Sequence, residues 1–355
     1  MQTSIQTLDP NLAVSDPAAN LRWYDLRHLP LEGAGWTDTT ALYDRLPGRA
    51  KPLVPDPVWQ LSGHSAGMGV RFVTESAVIA ARWRLRSPNL AMHHMPAVGV
   101  SGLDLYVEAD GRWRWAGVGI PTQFPVSSAT VLSGSEGRRR HYLLYLPLYN
   151  GVEQVELGIQ PAARLETPSP WPHPRPLCCY GSSIAQGGCA SRPGMAYPAI
   201  LGRWLGCPTI NLGFSGSARM EPALGDLLAE LDPAAYVLDS LPNMEAALVR
   251  ERAAPFIRRL RAARPQPPIV MVENITYANA HLIADRAART TASNAAWREV
   301  YEAVRAEGVP PLYYVPGADL LGRDDEATVD GTHPTDLGFL RMAEVLAPVL
   351  RRVLG

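Results

Sequence analysis

Two short stretches of the chain hold residues that together could transfer an acyl group. The first is CCYGSSIAQGGCASRPG, residues 178–194, where Ser183 follows a short apolar run and precedes a glycine-rich turn. The second is VDGTHPTDLGF, residues 329–339, with Asp330 placed shortly before His333. A serine hydroxyl is a weak nucleophile until a base takes its proton. A histidine just after an aspartate on a tight turn can be that base, because the carboxylate holds Nδ1–H while Nε2 faces outward. Of the 8 histidines, His333 alone joins a nearby upstream acid to a place in the second half of the chain. On its own the Asp-x-x-His spacing reads more simply as a surface turn, and Pro334 suits the start of a helix. Ser183 alone equally fits a serine satisfying backbone groups where a strand meets a turn. A G-x-S-x-G elbow is excluded, since residues 181–185 read Gly-Ser-Ser-Ile-Ala.

Acyl transfer also needs donors for the oxyanion of a tetrahedral intermediate. Gly213 follows TINL, where a glycine allows close approach, and Asn243 in DSLPNM offers a side-chain amide. The plain alternatives are a turn for Gly213 and a helix N-cap for Asn243. Ser215 and Ser217 fit substrate contact or capping before Glu221 better than attack. Cys178 and Cys179 fall inside an apolar run where thiols are buried and inert, and Cys189 belongs to the rim. Asp239, Glu273 and Asp336 are alternative acids, each worse placed for His333 than Asp330. His93 and His94 read as structural or rim residues.

The elements that must position these residues follow from periodicity. Short apolar runs at 177–180, 209–212, 236–241, 269–273 and 312–315 alternate with helical stretches at 196–205, 221–231, 244–263, 286–306 and 335–353. That alternation predicts a parallel sheet with helices on both faces, and ligands in such sheets bind outside the carboxyl ends of the strands. Ser182 and Ser183, Gly213, Asn243 and the segment after Val315 all emerge at that edge.

The first half alternates apolar and polar residues, as in Val70 and Phe72 or Ile79, Ala81, Trp83 and Leu85, and predicts an antiparallel β-sandwich. Asp110-Gly111 and Asn150-Gly151 read as hairpin turns. Trp113 and Trp115 share a strand face and read as core, with stacking on a sugar ring as the other possibility. Asp104 and Tyr106 are expected to face either the cleft or solvent. The proline-rich stretch QPAARLETPSPWPHPRPL, residues 160–177, interrupts both patterns. The expected organisation is a sandwich over 1–165, a linker over 166–176 and an α/β domain over 177–355.

Composition narrows the function classes. The 355 residues are 46% hydrophobic and 19% charged with a formal charge of −1, which gives no bulk attraction to nucleic acid or anionic membrane. The N-terminus has no basic start and no apolar core, and no run of about 18 apolar residues exists. The 4 cysteines, Cys178, Cys179, Cys189 and Cys207, match no zinc spacing and no disulfide framework, so reduced thiols and a cytoplasmic location are expected. No P-loop is present, and Gly117-Val118-Gly119 leads into a proline rather than a helix, so no cofactor and no metal is expected.

The ordered set Gly181-Ser182-Ser183-Ile184, Gly213, Asn243 and Asp330-Gly331-Thr332-His333 resembles the SGNH (also called GDSL) ester hydrolases. Gly102-Leu103-Asp104-Leu105-Tyr106 resembles the G-x-D-L-Y motif of a β-sandwich that precedes the catalytic domain in one bacterial branch, and YLPLYNGVE has the same flavour. The resemblance implies a flavodoxin-like three-layer α/β domain behind a jelly-roll-like sandwich. It implies Ser183 as nucleophile, His333 as base, Asp330 as orienting acid, and the Ser183 N–H, Gly213 N–H and Asn243 side chain as oxyanion donors. Two positions depart from the family: Ser182 replaces the aspartate of G-D-S-L, and Leu-Pro-Asn-Met replaces G-x-N-D. The implied activity is hydrolysis of a small-molecule ester through an acyl-enzyme, with short acyl groups on a sugar or other small alcohol. An acyltransferase using the same intermediate is the alternative, and a carbohydrate-binding protein with an inactive hydrolase half is the third reading.

Overall fold

The computed structural model describes residues 7–308 and 311–354. In the first half the period-two pattern builds β1 (Val14–Asp16), β2 (Leu21–Asp25), β3 (Leu31–Glu32), β4 (Gly69–Thr74), β5 (Ile79–Leu85), β6 (Leu103–Ala109), β7 (Arg112–Gly119), β8 (Val126–Leu132), β9 (Arg140–Tyr145) and β10 (Val152–Ile159). They form two antiparallel sheets, ordered β1-β2-β10-β5-β8 and β3-β4-β9-β6-β7. Val70, Phe72, Leu103 and Leu105 of one sheet share a core with Ile79, Ala81, Trp83 and Leu85 of the other. Every second residue is thus withdrawn from water, which is what holds two such sheets face to face. Short helices α1 (Asp56–Ser62) and α2 (Ala97–Ser101) interrupt the strands.

Asp110 and Gly111 take positive φ, 52° and 70°, and join β6 to β7 in the expected hairpin. Asn150-Gly151 does not make one. β9 pairs with β4 and β6, whereas β10 pairs with β2 and β5, so the turn carries the chain from one sheet to the other. Its asparagine is a buried strut: Nδ2 donates to the Ser87 carbonyl at 2.9 Å and to Ser101 Oγ at 3.0 Å. The tryptophans of β7 are not core either. Trp113 is half-buried against Trp171 and Trp115 is exposed, because β7 is an edge strand of its sheet. Asp104 and Tyr106 face neither cleft nor solvent. Both are buried, and Asp104 Oδ2 accepts from Arg192 Nη1 and the Gly194 N–H, each at 2.8 Å, pinning β6 to the second half of the chain.

The second half forms a parallel sheet ordered β12-β11-β13-β14-β15, from β11 (Leu177–Gly181), β12 (Thr209–Gly213), β13 (Ala235–Asp239), β14 (Ile269–Val272) and β15 (Leu312–Val315). The helices are α3 (Ser183–Gln186), α4 (Tyr197–Leu205), α5 (Pro222–Glu230), α6 (Ala246–Ala263), α7 (Ala284–Ala306) and α8 (Asp336–Leu354). Strand side chains alternate between two cores. Cys178 and Tyr180 of β11 meet α5, α6 and α7 through Leu224, Phe256 and Trp297. Leu177 and Cys179 meet α4 and α8 through Ile200, Leu201, Phe339 and Met342. The register pairs Gly181 with Gly213 on one side and Asp239 on the other, so three loops leave the sheet at one level.

The sheet edge at β12 is covered by the segment between β3 and β4. Trp36, Leu46, Val54 and Val58 pack into the same core as Ile210, Leu212 and Phe214. Covering an edge in this way removes a template for unwanted strand pairing. Among the described residues no helix is long and apolar enough to cross a membrane.

Candidate active site

The expected residues converge at the carboxyl edge of the parallel sheet. Ser183 opens α3 directly after β11, and Ser182 caps that helix, its Oγ accepting from the Ile184 N–H at 3.2 Å. A serine is a good N-cap, so the departure from G-D-S-L leaves the helix start satisfied. The Ser183 N–H, at the first helical position, has no acceptor within the helix. Gly187 closes α3 in the left-handed region.

Ser183 Oγ lies 2.8 Å from His333 Nε2, and His333 Nδ1 lies 2.7 Å from Asp330 Oδ2. The other carboxylate oxygen, Oδ1, accepts from the backbone N–H of His333 at 2.8 Å and of Thr332 at 3.0 Å. Partial burial pushes the Asp330 carboxyl up, but the hydrogen bonds from His333 and Thr332 outweigh it and hold the group below its ordinary value. An ionised carboxylate on Nδ1 fixes that nitrogen as the protonated one, which leaves Nε2 to accept from the serine. The alternative acids are engaged elsewhere: Asp239 with Tyr197, Glu273 with Arg298 and Gly317, and Asp336 with Ser191. Cys178 and Cys179 are buried, and burial pushes both thiols up, so neither supplies a thiolate. Cys189 is also buried, its thiol pushed up to about 12 by burial and then by Asp330.

Gly213 stands where only a glycine fits. A Cβ there would sit 2.1 Å from the backbone nitrogen of Gln186, so any side chain would push α3 away from β12. Its N–H already donates to Asn211 Oδ1 at 2.9 Å and is a shared rather than a free donor. Asn243 lies in a tight turn after β13, and Glu245, not Asn243, precedes α6. Oriented by the N–H groups it faces, its carboxamide oxygen accepts from Ser217 and Ala218, both at 3.2 Å, which leaves Nδ2 for another acceptor. Ser215 donates its N–H to Gln186 Oε1 at 3.1 Å, so it braces the loop.

Arg45, His64 and Tyr149 are site neighbours from the first half that had no signal in the sequence, unlike His94. Arg45 is buried and, among the described residues, has no carboxylate partner; it donates to the carbonyls of Asn211, Gly213, Leu61 and His64. Burial pulls its guanidinium down to about 9. His64 is held down at about 4 by burial and then by Arg45 and Arg86, so it is neutral, and its Nδ1 lies 3.1 Å from Gln186 Nε2. Tyr149 donates its hydroxyl to the Ser183 carbonyl at 3.3 Å. His94 meets the His333 ring edge-on, with centroids 5.7 Å apart.

The chain is similar to known proteins over both halves. Residues 174–351 match the GDSL-like lipase/acylhydrolase family, and residues 21–165 match the N-terminus of SGNH-hydrolase-type esterases. The chain belongs to the GDSL-like lipase/acylhydrolase family. A solved structure described as a GDSL-like lipase from Bacteroides ovatus shares 34% identity with this family member, over 94% of this chain and 98% of the other, at a TM-score of 0.89. The salicylyl-acyltransferase SsfX3 from a tetracycline biosynthetic pathway matches at 19% identity, over 93% and 98% of the two chains, at a TM-score of 0.71. A family two carbohydrate esterase from Cellvibrio japonicus matches at 14% identity, over 96% and 97%, at a TM-score of 0.57. The last two show the shared fold. No curated protein matches the chain. As a member of this acylhydrolase family the protein is an esterase-type enzyme.

Proposed function

We propose that this protein is a serine esterase in which Ser183 forms an acyl-enzyme. The observation that carries the reading is the unbroken relay from Ser183 Oγ to His333 Nε2 at 2.8 Å and from His333 Nδ1 to Asp330 Oδ2 at 2.7 Å. Ser183 Oγ attacks the ester carbonyl carbon while His333 Nε2 takes its proton, and Asp330 stabilises the imidazolium. The oxyanion is held by the Ser183 N–H and Asn243 Nδ2, with the Gly213 N–H shared between it and Asn211. The ester C–O bond then breaks, and His333 returns the proton to the leaving alcohol. Water, deprotonated by His333, attacks the acyl-enzyme and releases the acid and Ser183.

The proposed substrates are short acyl esters of a sugar or other small alcohol, supported by the fold shared with carbohydrate esterases. The fold shared with an acyltransferase supports the second reading, in which an alcohol replaces water at the acyl-enzyme. The unpaired, buried cysteines suit a reducing, cytoplasmic setting.

Intact-mass spectrometry after fluorophosphonate treatment tests the nucleophile. One adduct on the wild type, absent from Ser183→Ala, is expected. A folded wild type that takes no adduct removes Ser183 from the mechanism. Added alcohols that divert acyl groups into new esters would favour transfer over hydrolysis.

A further inference from the structure

Side chains able to ligate a metal, from three separate segments, converge at His333. One ligand atom each of His94, Cys189 and His333 lie within 4.8 Å of one another. His94 comes from the loop between β5 and α2, Cys189 from the loop after α3, and His333 from the segment after β15. Cys189 sits at φ 72°, a backbone conformation that a non-glycine side chain keeps only where its surroundings impose it. Its thiol makes no disulfide.

His333 is prepared as metal-binding imidazoles are. A carboxylate fixes its Nδ1 at 2.7 Å, which orients the ring and directs the Nε2 lone pair outward. Two imidazoles and one thiolate are a donor set suited to zinc(II) and related borderline or soft divalent ions. The fourth tetrahedral position is open to water or to the Ser183 hydroxyl, which already lies 2.8 Å from Nε2.

We propose that His94, Cys189 and His333 form an inhibitory site for a zinc-like divalent cation, which occupies the Nε2 lone pair that Ser183 needs. On binding, the cation gives up aqua ligands to solvent, the Cys189 thiol releases its proton, one sulfur–metal and two nitrogen–metal bonds replace the metal–water bonds, Ser183 loses its hydrogen bond to Nε2, and no electron is transferred. The site stands on its own geometry; its inhibitory effect rests on the esterase reading above. The cation blocks the reaction rather than taking part in it.

Cobalt(II) is the probe, because a cobalt–thiolate bond gives a charge-transfer band that bound nitrogen alone does not. Wild type, His94→Ala and Cys189→Gly, the last chosen to suit the positive φ, are titrated with cobalt(II) and then zinc(II). Circular dichroism establishes that each is folded. The expected result is one cobalt(II) per wild-type chain with the thiolate band, displaced by zinc(II), and arrest of both ester hydrolysis and fluorophosphonate labelling. Each variant should lose the band, or bind too weakly to show it. Each should also need at least about tenfold more zinc(II) to halve its own metal-free rate, the scale on which metal sites respond to lost partners. Binding without the band, or zinc sensitivity unchanged in a folded Cys189→Gly or His94→Ala, means an adventitious ion only and overturns the proposal. A wild type that shows the band but cleaves no ester keeps the site and loses the reaction. One that cleaves esters untouched by zinc(II) does the reverse.

Discussion

The guanidinium of Arg45 donates Nη1 to the carbonyl oxygen of Gly213 at 2.7 Å and to that of Asn211 at 3.1 Å, so a residue from the sandwich half fixes the end of β12. Its remaining donors go to the carbonyls of His64 and Leu61. In the proposed mechanism Arg45 positions the loop that carries the Gly213 N–H. Arg45→Lys keeps a charge but loses the planar fork, leaving buried carbonyls unpaired at about 1–3 kcal/mol. The rate constant for fluorophosphonate labelling should fall about tenfold or more, with KM for a short ester little changed. Labelling at the wild-type rate in Arg45→Lys would assign this arginine to folding alone.

Asn243→Ala removes the side-chain donor, while the N–H groups of half-buried Ser217 and buried Ala218 keep the Phe214 carbonyl as acceptor, at 3.0 and 3.2 Å. The kcat for ester hydrolysis should fall by about 10²–10³, as when other oxyanion donors are deleted. Thermal unfolding should stay close to wild type. Near-normal turnover in a folded sample would leave the oxyanion to backbone donors.

Asp104 and Arg192 couple the halves. Burial pushes the Asp104 carboxyl up despite Arg192 beside it, and its Oδ1 has no partner among the described residues. Removing one partner of such a pair leaves a buried group uncompensated, so Arg192→Met should cost about 3–5 kcal/mol in urea unfolding. Combining it with Asp104→Leu should recover part of that loss. Strict additivity in the double-mutant cycle would mean the pair contributes no coupling.

Asp239 sets a dependence of stability on pH. Burial raises its carboxyl to about 7, above its value in the unfolded chain, although Tyr197 donates to it. A folded value above the unfolded one means the contribution is complete below the unfolded pKa, about 4, and is lost as pH rises to about 7. The slope approaches 1.4 kcal/mol per pH unit within that window. Asp239→Asn should flatten the wild-type loss of unfolding free energy between pH 5 and 7. Parallel curves for the two proteins would contradict the assignment.

The parallel half was legible because each strand is a short apolar run with a helix-length amphipathic stretch behind it. Ser183, Gly213 and Asn243 each follow a strand closely, and the longer segment after Val315 brings Asp330 and His333 to the same edge. α3 was not legible: four residues are too few for a period to register, and the glycines around it read as a turn. Asn150-Gly151 misled because one turn chemistry serves a hairpin and a crossing between sheets alike. Arg45, His64 and Tyr149 left no trace, since hydrogen bonds to backbone carbonyls or to a glutamine impose no pattern on their neighbours. Trp113 and Trp115 alternate as core residues do, but alternation does not say which face of an edge strand is covered.

The wedge of chain around Trp36, Leu46, Val54 and Val58, lodged against β12, bears on how such a gene can be recombined. Spliced at the proline stretch, the second half would inherit Ser183 and His333 but not the packing over its sheet edge or Arg45 behind the end of β12. A crossover that gives the second half a foreign partner should therefore yield a protein that keeps Ser183 and His333 and loses their alignment.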